Sequence, residues 1–215
     1  MDPITLALAK NYADGVVDPA TAVLNASVIG YETGIGAGAI TELESGQAVT
    51  AVRGDWVRTT TGLRISTTVD RSILRVAGFG GGHGVSGQTT ILRETNAGGF
   101  AFRIVDADNY LWARITSTAL EVGHTVAGSH TVVGTTAIYD ARGGKFLLRA
   151  TCRSRGAWGN AGIRLSAQIE DATVAGDITD SAVYDVFPHT TDSGLLLAHT
   201  NDRLLNTTLY DDVRL

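Results

Sequence analysis

The sequence predicts an all-β protein, an antiparallel β-sandwich carried behind a short helical segment. Three observations predict it. Beyond about residue 38, apolar residues recur at every second position rather than every third or fourth. Turn signals separate these runs at short intervals, and no long helical pattern interrupts them. The composition, with 26 Gly against 3 Pro and abundant Thr and Val, suits strands and tight turns. Hydrophobic residues at 44% and charged residues at 18% argue for a packed core and against global disorder. A length of 215 residues fits one large β domain, or one domain with an appendage.

The first segment differs from all that follows. In "DPITLALAKNYADGVVD", Asp2 is a good N-cap and Pro3 suits the first helical position. Ile4, Leu8 and Tyr12 follow at i+4 spacing, with Val16 one turn on, as a narrow apolar stripe. Gly15 and Asp18-Pro19 mark the end of the helix, and "DPATAVLNAS" starts a second short one. A lone helix of about four turns is marginal in water, so Ile4, Leu8 and Tyr12 are expected to pack, on the main domain or on copies of themselves. Gly34, Gly36 and Gly38 then alternate with small residues as a flexible connection. The expected organisation is residues 1–37 as attachment or oligomerisation segment and linker, and 38–215 as the sandwich.

The strands come next. Trp56 to Val69 is Thr-rich and β-prone, "SILRVAGF" reads as a short buried strand, and "QTTILRET" continues the style. Phe100, Phe102 and Ile104 alternate with Ala101, Arg103 and Val105; Leu111, Ala113 and Ile115 alternate with Tyr110, Trp112 and Arg114. Phe146, Leu148, Ala150 and Cys152 define a third such run, and Ile163, Leu165, Ala167 and Ile169 a fourth. Each is expected to be a half-buried antiparallel strand. "DADN" between the first two, Asp106 to Asn109, reads as a hairpin tip. Clustered oxygens there could hold calcium, but no Asp-x-Asp-x-Asp-Gly loop and no nearby Glu completes a shell.

"GFAFRIVDADNYLWARI", followed by "GKFLLRATCR", "GIRLSAQIED" and a closing "DSGLLLAHTNDRLLNTTLYDDVRL", resembles the concanavalin A-like, laminin-G-like jelly rolls. The resemblance covers roughly residues 55–215 and implies a jelly-roll fold rather than a function. Separately, "ITLALAKNYADGVV" resembles the short helix that opens many tail-associated proteins of bacterial viruses. That resemblance implies a virion component, in the tail or on the capsid surface and assembled in the host cytoplasm. Its partners would be other virion proteins and copies of itself, a trimer by analogy with tail fibres.

Net charge is −5 and no basic block exists, so no nucleic-acid partner is expected. No apolar run is long enough to span a bilayer, and the first residues lack the basic region and apolar core of a signal peptide, so neither a membrane span nor secretion is expected. The lone Cys152 excludes internal disulfides and thiol zinc sites and is expected to be a small buried hydrophobe. No cofactor or metal is expected. "GFGGGHGVSG", Gly78 to Gly87, lacks the Gly-Lys-Ser/Thr ending of a phosphate loop and reads as a mobile loop with His83 at its tip. No Glu-x-Asp-x-x-Glu and no Gly-x-Ser-x-Gly appears, which speaks against a glycanase and a serine hydrolase. Glu170-Asp171 and Asp211-Asp212 read as solvated charges.

The positive feature is a set of aromatics and arginines. Tyr110, Trp112 and Arg114 share one side of a strand; Arg149, Thr151 and Arg153 share one side of another; Trp158 sits in the Gly-rich "RSRGAWGNAG" loop. Rings with guanidinium and hydroxyl donors suit sugar stacking and hydrogen bonding. One face of every sandwich strand is core, so Trp112 is expected inside. The ligand-binding residues expected are Trp158, Arg155, Arg153 and Tyr110. The functional expectation is a non-enzymatic virion protein binding host-surface glycan; the alternative is a decoration protein making protein contacts only.

Overall fold

The computed structural model describes residues 27–29, 38–42, 47–59, 62–79, 84–92, 98–138, 145–155 and 162–212. In chain order the first eight described strands are β1 (Ser27–Ile29), β2 (Gly38–Ala39), β3 (Val49–Arg53), β4 (Trp56–Thr59), β5 (Gly62–Ile65), β6 (Ser72–Val76), β7 (Gly84–Leu92) and β8 (Gly98–Phe102). Then come β9 (Tyr110–Ile115), β10 (Ala119–Val126), β11 (Ser129–Ala137), β12 (Lys145–Ser154), β13 (Ile163–Gln168) and β14 (Thr173–Ile178). A one-turn helix α1 (Ser181–Tyr184), capped by the Asp180 carboxylate accepting from the Ala182 N–H, precedes β15 (Ser193–Leu197) and β16 (Arg203–Asp212).

All pairings among these strands are antiparallel. One sheet runs β14-β13-β12-β7-β16-β5-β4-β2, with β1 also on β16; the other runs β11-β10-β9-β8-β15-β6-β3. This is the all-β antiparallel sandwich that the alternation and turn signals predict, and the resemblance implies its jelly-roll form.

The two sheets face each other through one core. Leu63, Ile91, Leu148 and Leu165 from the larger sheet meet Leu74, Phe100, Phe102, Leu111 and Leu195 from the smaller, all fully buried. Each such side chain contributes about 1.5–3 kcal/mol by leaving water. On one side of the sandwich the edge strands close on each other. Added β-carbons at Gly134 and Gly176 would lie 2.6 Å from Ala175 O and Val133 Cγ2, so only glycine permits the approach. There the Thr136 hydroxyl donates to Thr173 O at 2.9 Å.

Several sequence expectations change in detail. Trp56 to Val69 is not one strand but the hairpin β4–β5. The second half of "GFGGGHGVSG" is not loop: Gly84 to Gly87 begin β7, which pairs with both β12 and β16. Residues 80–83, including His83, lie outside the described residues, as do Ile4, Leu8 and Tyr12. Ser27–Ile29, ahead of the expected boundary at 38, pairs with Thr207–Leu209 of β16.

Candidate functional site

The Asp106–Asn109 stretch builds a turn from its own side chains. The Asp106 carboxylate accepts from the Asp108 N–H at 2.7 Å and from Asn109 Nδ2 at 2.9 and 3.0 Å. Asn109 Oδ1 accepts from the Ala127 N–H at 3.0 Å, and Gly128 N–H donates to Asp108 O at 3.0 Å. Ala127 and Gly128 carry φ of 47° and 76° as the two central residues of the β10–β11 hairpin, matching the twist of its strands. The acidic turn is thus a clasp between two hairpin tips. No group of three or more potential metal ligands occurs among the described residues.

The face carrying Tyr110 and Trp112 is not open. Both rings are buried, at 0% and 1% exposure, in a second apolar cluster with Ile73, Ala101, Ile104 and Leu196. This cluster lies on the side of the smaller sheet turned away from the sandwich core, since Phe100, Phe102, Leu111 and Ala113 point the other way. Trp112 is therefore inside, as expected, but in this satellite cluster rather than between the sheets. Arg114 stacks 4.4 Å over the Trp112 ring and pairs with Glu121, its Nε at 3.0 Å and its outer nitrogen at 2.9 Å from the same carboxylate oxygen. His130 packs edge-on to Tyr110, and burial pushes the Tyr110 phenol above its ordinary pKa. Tyr110 is thereby corrected as a ligand-binding residue: its ring is in the packed interior and cannot stack on a sugar.

The other half of the expected set lies on the opposite side of the molecule. Along β12 the side chains alternate, with Leu148, Ala150 and Cys152 buried and Leu147, Arg149 and Arg153 exposed. The outward face of the larger sheet is consequently a grid. One rung holds Asp177, Arg164 and Arg153, with Gly84 next to them on β7. The next holds Ala175, Ser166, Thr151, Ser86 and Tyr210, with Ser86 Oγ and Thr151 Oγ1 hydrogen-bonded at 3.3 Å. The third holds Thr173, Gln168, Arg149 and Gln88, with Arg149 Nε donating to Gln88 Oε1 at 3.0 Å. Below it a cavity of about 340 Å³ is lined by Thr90, Lys145, Phe146, Leu147, Arg149 and Glu170.

Arg155, just past β12, is exposed; its side chain reaches Asp177 Oδ2 at 3.2 Å, an oxygen also 3.5 Å from Arg164. Arg153 and Arg155 thus share one end of this face, while Trp158 lies outside the described residues. Sequence reading passed over the cavity. Its signal was the run Lys145–Arg149, where outward Leu147 breaks the polar alternation, together with Glu170 in the β13–β14 turn.

Beneath this face, Cys152 is 2% exposed in the sandwich core, and burial raises its thiol pKa to about 11. Arg103, itself 7% exposed, donates from its guanidinium to Ser154 Oγ at 2.6 Å and Phe187 O at 3.1 Å. These bonds tie β12 and the segment after α1 to the β8–β9 connection. They are structural, and neither group opens onto the grid.

No family model matches the sequence, and no curated protein matches it. Solved structures share the fold. The chain is similar to carbohydrate-binding module CBM66 from Bacillus subtilis, with TM-score 0.59 and 16% identity over 76% of this chain and 95% of that one. It is similar to peanut lectin, with TM-score 0.52 and 8% identity over 81% and 96%. It is also similar to the exoplasmic/lumenal domain of VIP36 in a calcium- and mannose-bound form, with TM-score 0.51 and 12% identity over 89% and 93%. At these identities the likeness establishes the concanavalin A-like jelly roll as the fold.

Proposed function

We propose that the protein is a non-enzymatic glycan-binding module that uses the outward face of its larger sheet. The observation that carries this is the grid itself: an open sheet face of Arg, Thr, Ser and Gln leading into a cavity with Phe146 and Leu147 in its lining. Sugars present hydroxyl edges and apolar ring faces, and this surface offers donors, acceptors and an apolar wall together. That the fold is shared with a carbohydrate-binding module and a lectin favours the same reading.

The carboxylates here suit binding rather than hydrolysis. Asp177 is paired with both Arg155 and Arg164, and Glu170 is the one carboxylate among the cavity-lining residues. The reading extends to a bacterial-virus particle, where the module would attach the virion to host-surface glycan. That extension is supported by the resemblance of residues 4–17 alone.

Immobilised-glycan binding by the whole protein tests the core of the proposal. Arg149→Ala removes a group shared by grid and cavity and is expected to weaken binding at least severalfold with an unchanged melting temperature. Retained affinity in that variant would move the site elsewhere. Release of reducing sugar from bound glycan would overturn the non-enzymatic reading.

A further inference from the structure

We infer that the cavity beside β12 takes an N-acetylated amino sugar, with Leu147 as the seat of the acetyl methyl; the inference rests on the glycan-binding reading above. Leu147 is the odd residue of this face. It is an apolar side chain, 38% exposed, at an outward position whose outward neighbours along the strand are Lys145 and Arg149. A lone exposed leucine on a convex surface asks for no explanation. This one lines a cavity and is ringed by hydrogen-bonding groups of both kinds.

The ring can be read from the register. Lys145 and Arg149 stand one outward position to either side of Leu147, about 7 Å each way. Thr90, its cross-strand partner on β7, is 9% exposed. Glu170 follows two residues after Gln168, the partner of Arg149, in the turn closed by the Ile169 N–H on Ala172 O at 2.9 Å. Phe146, half-buried against the sandwich core, adds a second apolar group to the lining. Arg149 is steadied by its Nε bond to Gln88 Oε1 at 3.0 Å. Lys145 and Glu170 line the same cavity, yet neither makes an ion pair with the other or with any described residue.

That arrangement selects among sugar substituents. A carboxylate would be drawn to Lys145 and Arg149 and repelled by Glu170. An ammonium would meet the reverse. A neutral group with a donor at one end and an acceptor at the other suits both charges. A secondary amide is such a group: its N–H can donate to the Glu170 carboxylate while its carbonyl accepts from Lys145 or Arg149, both charge-assisted bonds. Hydroxyls can also donate and accept, but only the acetamido group brings a methyl for the Leu147 spot. The cavity volume of about 340 Å³ is at the small end for ligand sites and suits one sugar ring with its substituent.

The test is calorimetric titration of the whole protein with three tetrasaccharides of one linkage: N-acetylglucosamine, glucosamine and glucose. The acetylated form should bind about tenfold more tightly than either other form. Roughly fourfold comes from taking one methyl out of water and a further severalfold from one net hydrogen bond. Because the acetylated sugar is uncharged, added salt should leave its advantage over the glucose form in place. Leu147→Ser should bring the acetylated and glucose forms to within about twofold of each other. Glu170→Ala should cost the acetylated form about fivefold, and Glu170→Gln, which keeps an acceptor oxygen, should retain most of the affinity. Both positions are exposed, so the melting temperature should not move.

Equal binding of the acetylated and glucose forms would overturn the acetyl inference and leave the glycan reading standing. Tighter binding of the glucosamine form would overturn it in favour of an ammonium held by Glu170. An undiminished preference in Leu147→Ser would overturn it as well, by moving the methyl elsewhere. An acetylated alanine peptide binding as tightly as the sugar would overturn it in favour of a protein ligand. If none of the three tetrasaccharides binds, the acetyl inference falls, and the glycan reading falls with it only if a broad panel of immobilised glycans is also silent.

Discussion

Replacing Asn109 by alanine should destabilise the protein by about 2 kcal/mol, and the reasoning can be followed bond by bond. The substitution removes two bonds from Nδ2 to the Asp106 carboxylate, at 2.9 and 3.0 Å, and one from the Ala127 N–H to Oδ1, at 3.0 Å. A net hydrogen bond contributes about 1 kcal/mol, so three set an upper figure of roughly 3 kcal/mol. Asp106 is exposed and water replaces part of its loss, which brings the estimate to about 2 kcal/mol. The Ala127 contact adds leverage because Ala127 is held at φ 47°, a conformation that a non-glycine residue adopts only at a cost of about 1–2 kcal/mol. For a chain of this size, 2 kcal/mol corresponds to a fall of about 4–8 °C in melting temperature. Circular dichroism melts would measure it, with Asp108→Ala as control. The Asp108 side chain is 58% exposed and 3.9 Å from Arg53, so its loss should cost under about 0.5 kcal/mol. If Asn109→Ala melts with the wild type, the clasp carries no stability and the argument fails. If added calcium raises the wild-type melting temperature and Asp106→Asn abolishes that rise, the turn is a metal site instead.

Three further outcomes follow from named groups. Cys152 keeps its proton in the fold to about pH 11, whereas in the unfolded chain it ionises near its ordinary 9.0. Its contribution is therefore intact below pH 9 and lost as pH rises toward 11, roughly 3 kcal/mol in all. Chemical denaturation across that window, compared with Cys152→Ala, should show the difference, and identical slopes would refute it. Trp158→Ala should abolish glycan binding with little change in melting temperature, while a large drop in melting temperature would make Trp158 a packing residue. A chain beginning at Ala26 retains β1 but lacks Ile4, Leu8 and Tyr12, so light scattering should find the full chain trimeric and this one monomeric; the same number of subunits in both would remove the N-terminal segment as oligomeriser.

The fold was legible because period-two alternation reports directly which side of a strand is covered. Leu148, Ala150 and Cys152 are buried where the pattern along β12 puts them. The strands that escaped notice are weakly patterned for physical reasons. In β11 most residues are exposed or half-buried, so "SHTVVGTTA" has little to alternate between. In β14, "TVAGDI" is an edge strand with small residues where β11 closes on it. The site was half legible. Alternation names the residues sharing one side of a strand, but it does not say which sheet each strand joins. Tyr110 and Arg153 read as one surface in sequence, and chain topology sets them on opposite sides of the sandwich.

That separation explains why one outer face is available and the other is not. A sheet face in water must be polar or be covered. The smaller sheet turns outward the apolar set Ile73, Ala101, Tyr110, Trp112 and Leu196, and its arginines are committed to that cover. Arg114 lies on Trp112, and Arg75 donates to Ile104 O and Val105 O at 3.0 Å. The larger sheet turns outward Ser86, Gln88, Arg149, Thr151 and Arg153, which need no cover and leave the face open to solvent. Binding that required a buried aromatic to swing out of the smaller sheet would forfeit about 3–5 kcal/mol of packing, more than a weak sugar contact returns. Binding on the larger sheet requires only that water leave, so it is the β12 face that chemistry can use without unfolding anything.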